Sequence, residues 1–355
     1  MKSPLSVISP STVPIVEISA LFRGKSAARE ATDGAIFQAA GDMGFVSVTG
    51  LPPNVPIGRA ARADLLRIFD LEPCVLRSLW RRKFEPRNRN IYRGWFPVQP
   101  GNLTSKEGID MGADIAYGPA VAAAEDPLRE PTPLPEDALL PGWRGAIAAY
   151  YLGMESVCVA LMQSIARSLA LEERFFDNSF RLGLSTLRLL RYPVRSPQDL
   201  AACEDPGIWV SREGERQYVV GAAHTDSGFV TLLAQDGVPG LQARSHGAAW
   251  VDVQPDDQAL AVNFGQVLER WSGGRIKATE HRVVGTGQER YSIPFFYEAR
   301  ADAEICPLPM DDPNSFDPFL FGDYLWARIT KFVEFRGMES VRKPMRSLTT
   351  APCGI

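Results

Sequence analysis

Histidine is scarce in this 355-residue chain: His224, His246 and His281 are all it has, so any metal site built on imidazole must draw from these three. Cysteine is sparse as well. Cys74, Cys158, Cys203, Cys306 and Cys353 are odd in number, far apart, and never arranged as CxxC. That pattern argues against a disulfide framework and a zinc–thiolate centre, and fits a reducing cytoplasm. No apolar run approaches the length of a membrane-spanning helix, and the opening MKSPLSVISPSTVPIVEI has no apolar core of the signal-peptide kind. Excess positive charge is missing too. The net charge of -4 gives no global pull toward nucleic acid or anionic lipid, so neither is expected as a partner. GxGxxG and P-loop patterns are absent, and no persuasive Ser-His-Asp set stands out.

What is present is an ordinary globular composition, 45% apolar and 23% charged, long enough for a sizeable core. VPIVEISALF reads as a short strand leading to a helix over about Ser26 to Asp42. Gly44 to Thr49 alternates as a strand, and a second helical stretch covers roughly Arg59 to Trp80. The Pro- and Gly-rich segment from Lys83 to about Pro141 is expected to be mostly loop. From Trp143 to Leu171, apolar residues in steps of three and four mark one face of a long core helix. After Gly183 come short β-rich runs: Leu184–Tyr192, Gln217–Ala223, Phe229–Ala234, Ala249–Val253, Ala259–Asn263, His281–Val284 and Arg290–Tyr297. Turn-punctuated strands of this kind suggest a sandwich or barrel. Residues from Phe316 to Arg336 read as helical again. The expectation is one domain over 1–355: a helical and loop region (1–183), a β-core (184–300) and a C-terminal helical extension (301–355).

The chemistry concentrates in Ala223-His224-Thr225-Asp226-Ser227-Gly228. Residues i and i+2 of a strand share a face, so His224 and Asp226 can point at one spot. His281, in a separate β segment, is the candidate third ligand. Two histidines and a carboxylate on one face of an ion make the facial triad of non-haem Fe(II) oxygenases, with positions left open. A partly buried His–Asp hydrogen bond would give the same HxD pair. Downstream, Arg290 and Ser292 of Arg290-Tyr291-Ser292 share a strand face, and a guanidinium with a nearby hydroxyl suits a carboxylate. The alternative is a surface arginine on an edge strand, but the following Ile293-Pro-Phe-Phe-Tyr is strongly apolar, and a buried arginine needs an anion. His246, in the polar turn Arg244-Ser-His-Gly-Ala, is not expected to be a ligand.

The stretches HTDSGFVTLLAQD, GLQARSHGAAWVDVQP, LAVNFGQVLERWSGGRIKATEHRVV and ERYSIPFFYE resemble the isopenicillin N synthase-like branch of the 2-oxoglutarate/Fe(II) dioxygenases. In that family HxD is followed by a distal His some fifty-odd residues later and RxS about ten further on. Here His281 lies 55 residues after Asp226, and Arg290 nine after His281. VPIVEIS, GDMGFVSVTGLP and YRGWFPV with SKEGIDMG extend the resemblance, which is densest over 184–298 and leans to bacterial and fungal members. It implies a mainly β fold: a double-stranded β-helix (jelly-roll) core wrapped by N- and C-terminal helices. It also implies Fe(II), 2-oxoglutarate as co-substrate, and O2, with release of succinate and CO2 as a C–H bond of a small organic molecule is hydroxylated, desaturated or closed into a ring. Carried over, His224, Asp226 and His281 bind the metal, while Arg290 and Ser292 hold the distal carboxylate of 2-oxoglutarate.

Leu190-Arg191-Tyr192-Pro193 departs from the NYYP of many plant members, with Leu190 for the Asn and Arg191 for the first Tyr. It resembles the bacterial ethylene-forming enzyme, and so Arg191 is expected on a carboxylate of co-substrate or substrate, or else solvated at a strand end. Phe296 and Phe229, with Arg191, are the substrate-side candidates by family position, and the long loop near Tyr92, Arg93, Trp95 and Phe96 is expected to form part of a lid. Isopenicillin N synthase itself carries HxD, His and RxS yet uses no 2-oxoglutarate, which leaves a 2-oxoglutarate-free oxidase as the alternative. The basic, aromatic-interleaved run from Arg81 to Arg93 reads as a solvated surface stretch, or else as a grip for phosphates and bases. The sequence does not name the substrate or the oligomeric state.

Overall fold

The computed structural model describes residues 12–123, 125–212, 214–245, 249–309 and 316–345. Its core strands, in chain order, are β1 (Ile15–Glu17), β2 (Phe45–Thr49), β3 (Gly94–Phe96), β4 (Glu107–Met111), β5 (Thr186–Tyr192), β6 (Trp209–Arg212), β7 (Glu215–His224), β8 (Val230–Gln235), β9 (Leu241–Arg244), β10 (Val251–Asp252), β11 (Leu260–Phe264), β12 (Glu280–Gly285) and β13 (Arg290–Tyr297). Eight of them make one sheet in the order β1-β2-β11-β8-β13-β5-β4-β3, and five make a second, β10-β9-β12-β7-β6. Pairing is antiparallel except between β1 and β2.

Strand alternation sorts the large sheet into two faces. Leu187 and Leu189 of β5 and Ile293 and Phe295 of β13 join one apolar cluster with the helix Trp143–Ser168. Leu190 and Tyr192 face the other way. They pack with Phe45, Phe96 and Ala261 against Val220, Leu241, Ala243 and Val283 of the small sheet. The second cluster is the interior of a two-sheet sandwich, and the even-numbered residues of β5 and β13 line it.

The long helix carries its apolar residues inward and anchors its first turn through Trp143 Nε1, which donates to Leu65 O at 2.8 Å. By length and composition it could cross a membrane, contrary to the expectation that no run would. More than half of that apolar window is buried inside the protein. The helix Ala27–Asp42 starts at Ser26, whose side chain accepts from Arg29 N, a cap that supplies one of the helix's unpaired donors with a partner.

Three regions depart from expectation. The stretch 83–141 contains β3 and β4, which complete the edge of the large sheet. Residues 59–80 are helical in pieces, Arg59–Leu66, Arg67–Asp70 and Pro73–Ser78. The C-terminal helix ends at Ile329, and the chain continues in turns to Arg342. Cys74, Cys158 and Cys203 are free, and Cys306 is disulfide-bonded.

Candidate metal centre

His224 is the last residue of β7, and His281 sits directly opposite it on β12. Asp226 lies in the turn that follows β7. That turn is pinned by the helix Gln266–Trp271: Gln266 N donates to Asp226 O at 2.9 Å and Val267 N to Ser227 O at 3.3 Å. The approach is close enough to require glycine, since a Cβ on Gly265 would stand 2.3 Å from Gly228 O.

The three side chains converge, with ligand atoms all within 4.8 Å of one another. His224 Nε2 is 3.6 Å and His281 Nε2 3.8 Å from Asp226 Oδ1. Each ring places Nδ1 against the carbonyl two residues earlier in the chain, Ala222 O at 2.8 Å and Thr279 O at 3.2 Å. A carbonyl can only accept, so each Nδ1 carries a proton and each Nε2 is turned toward Asp226. Burial, helped by His281 and Lys106, lowers the pKa of His224 to about 4, so its ring is neutral at pH 7. Asp226 is divided between two tasks. Thr231 Oγ1 (2.5 Å) and Asn263 Nδ2 (2.7 Å) donate to Oδ2, leaving Oδ1 for the histidines. Burial would raise the pKa of Asp226, but His281, His224 and these donors outweigh it and keep it a carboxylate. Two imidazole nitrogens and one carboxylate oxygen fit a divalent cation. Bonds of about 2.1 Å would need the three atoms drawn in by less than about 1 Å.

Arg290 and Ser292 lie on the sandwich face of β13, both buried. Arg290 Nη2 donates to Gln235 Oε1 at 3.2 Å, and the guanidinium stands 5.2 Å from the centre of the Tyr192 ring. Its Nε and Nη1 are buried without a hydrogen-bond partner among the described residues. A buried guanidinium in that state calls for an anion. Burial pushes its pKa down, against the opposing pull of Tyr192 and Asp236.

Tyr192 and Asn263 were missed in the sequence. Tyr192 could have been found, because it sits two residues from Leu190 on the inward face. Nothing local marks Asn263 as a partner of Asp226. Arg191 corrects the carboxylate placement; the strand-end alternative fits, with 33% of its side chain exposed. It falls on the opposite face from Arg290 and Ser292, paired across the ladder with Tyr291, and is spent on Glu289 (2.7 Å) and Glu107 (3.4 Å). Phe229 is also not at the site: it is buried among Phe180, Trp271 and Phe321 at ring distances of 4.8, 5.6 and 4.9 Å. Phe296 is half-buried on the inward face. Tyr92 and Arg93 are buried and meet the inward face of β5 at Thr186, 3.5 Å from the Tyr92 hydroxyl and 2.6 Å from Arg93 Nη1. In the basic run, Arg81 and Arg93 are internal, 0% and 2% exposed, so neither a solvated stretch nor a phosphate grip describes them. His246 lies outside the described residues.

Residues 188–299, the span that holds His224, Asp226, His281, Arg290 and Ser292, match the 2OG-Fe(II) oxygenase superfamily. This span is a 2OG-Fe(II) oxygenase domain. Among curated relatives, the oxygenase is 28% identical over 316 residues to the 2-oxoglutarate-Fe(II) type oxidoreductase hxnY of Emericella nidulans, covering 85% of this chain and 84% of that one. It is 26% identical over 329 residues to isopenicillin N synthase of Streptomyces clavuligerus, covering 90% and 96%. Among solved structures, a full-length Neurospora crassa protein in complex with alpha-KG and thymine superposes with a TM-score of 0.73 at 23% identity, covering 90% of this chain and 96% of that one. The two-sheet core is thus the jelly-roll fold of these oxygenases, and Fe(II) and 2-oxoglutarate are the cofactor and co-substrate of the family.

Proposed function

We propose that this oxygenase holds Fe(II) through His224 Nε2, Asp226 Oδ1 and His281 Nε2, seats the distal carboxylate of 2-oxoglutarate on Arg290 and Ser292, and oxidises a C–H bond of a small organic molecule. The observation that carries the reading is the pairing of a His/Asp/His cluster with a buried arginine lacking an anion on the inward face of the same sandwich. The Neurospora crassa protein is described with thymine, which favours a small-molecule substrate here as well. We read 1–355 as one domain with N- and C-terminal helices around the jelly roll. In support, β1 to β4 from the N-terminal half share a sheet with β5, β8, β11 and β13.

Bound iron with 2-oxoglutarate and O2 supplies the oxidising power, releasing succinate and CO2. The chain supplies placement. The Nδ1–carbonyl contacts fix both imidazoles with Nε2 inward, and Thr231 and Asn263 keep one oxygen of Asp226 off the ion. Arg290, desolvated and steadied by Gln235 and Tyr192, binds a carboxylate where water competes little.

The test is anaerobic titration of Fe(II) and then 2-oxoglutarate into apoprotein, following the weak visible charge-transfer band of the chelate. The band is expected in the wild type and lost in Arg290→Ala. Iron binding with no band would instead favour an oxidase of the isopenicillin N synthase kind, with Arg290 kept for a substrate carboxylate. Absence of iron binding in the wild type would end both readings.

A further inference from the structure

The inward face of β5 carries a second arginine. Arg188 lies two residues before Leu190 and four before Tyr192, on the face that holds Arg290 and Ser292. Its guanidinium is set between two aromatic rings, 5.3 Å from the centre of Phe96 and 5.1 Å from that of Phe296. Asp110 grips one edge of it, with Nε to Oδ1 at 2.5 Å and Nη2 to Oδ2 at 2.8 Å. Nη1 is left without a partner among the described residues, yet it is not sealed in: the Arg188 side chain keeps 16% of its surface. Phe296 beside it is half-buried. A guanidinium fixed on one edge and open on the other presents a rigid pair of N–H groups to the interior.

Its carboxylate partner is shared. Arg188, Arg81 and Lys106 face Asp110 and Glu334, with Arg81 paired to Asp110 and Lys106 to Glu334 at 3.3 Å. Arg81 is wholly buried, and its Nε and Nη1 have no hydrogen-bond partner among the described residues. With Asp110 shared by two guanidiniums, Nη1 of Arg188 is left to be met from outside the chain.

The cluster adjoins the metal centre. Phe332 stands edge-on to His224, at a ring distance of 5.9 Å, and two residues later Glu334 enters the cluster. Phe332 remains 38% exposed, a large apolar ring left partly open beside the triad.

Resting on the function proposed above, we propose that Arg188 determines substrate specificity and that the substrate is a small organic anion. Its carboxylate pairs with Arg188 Nη1, and its apolar body lies between Phe296 and Phe332. The carboxylate meets the unpartnered edge of Arg188, and the held acid turns its carbon chain toward the triad.

The test uses full-length protein loaded anaerobically with Fe(II) and saturating 2-oxoglutarate, so that Arg290 is occupied. Two matched pairs are titrated by calorimetry: phenylacetate against phenylacetamide, and 3-phenylpropanoate against 3-phenylpropanamide. At least one acid is expected to bind roughly tenfold or more tightly than its amide, as a charge-assisted contact requires. Arg188→Gln should erase that preference while keeping the chelate band. Arg188→Lys, which keeps the charge beside Asp110 and guards against a folding defect in the Gln variant, should retain part of it. Equal binding of acid and amide in both pairs, no binding of either acid, or a preference that survives in Arg188→Gln with its band intact would overturn the assignment. Failure of the band in wild-type protein would count against the iron and 2-oxoglutarate reading instead, since calorimetry reads the acid preference independently.

Discussion

Asp226 does its work by being asymmetric. Thr231 and Asn263 close off Oδ2, and Oδ1 faces both Nε2 atoms. Partners behind a ligand typically set its orientation and are worth about 10–100-fold in metal affinity. Asn263→Ala is therefore expected to weaken Fe(II) binding by that order, measured by titration against a competing chelator; an unchanged affinity would remove Asn263 from the positioning role. The legibility of single residues followed face alternation. HxD and RxS could be read because i and i+2 share a face, and the same rule, applied to Leu190-Arg191-Tyr192, would have turned Arg191 outward and Tyr192 inward. Phe229 stood next to the ligand turn in sequence but was claimed by an aromatic cluster from three distant segments, which no local pattern announces.

Two elements carry the site without touching it. The turn holding Asp226 is seated on the start of helix Gln266–Trp271, where a methyl on Gly265 would meet Gly228 O at 2.3 Å. Gly265→Ala is expected to lower both the melting temperature and the iron affinity, although residue 265 contacts no ligand; thermal unfolding with and without Fe(II) separates the two effects. The C-terminal segment after Ile329 is the second such element. Burial opposes ionisation of Glu334, but Lys106, Arg188 and Arg81 prevail and bring its pKa from 4.5 to about 2. A carboxyl depressed in the folded state stabilises fully above its unfolded pKa, and that contribution is lost as pH falls from about 4.5 toward about 2. Over this window, melting temperature should fall less steeply in Glu334→Gln than in the wild type; parallel curves would contradict the buried pairing. These elements were the least legible. β3 and β4 are three and five residues long and are strands because β5 offers them an edge. Residues 330–336 carry a helical texture but are held in turns, with Lys83 Nζ donating to Arg336 O and Phe335 packed on Arg81.

At the scale of the molecule, the recognisable domain over 188–299 is not self-sufficient. Four strands of the large sheet and the long helix that covers Ile293 and Phe295 come from outside it. A fragment spanning 184–300 would expose an apolar sheet face and the unpaired edges of β5 and β11. Expressed alone, it is expected to lack the dispersed amide spectrum that the full chain gives; a well-dispersed, soluble fragment would refute this. The β-rich core, the long helix and the convergence of His224, Asp226 and His281 could be read from periodicity and spacing, whereas the contribution of 12–111 to the same sheet could not, because strand order is decided by long-range pairing. The register across β7 and β12 has a mechanical side. His224 and His281 face each other where the ladder is irregular, with register shifts on both sides of Val283. An ion gripped there acts as a rivet through a faulty seam, tying together chain positions that would otherwise close a long loop at an entropic cost. Loading a metal and stiffening that end of the sandwich would then be one event.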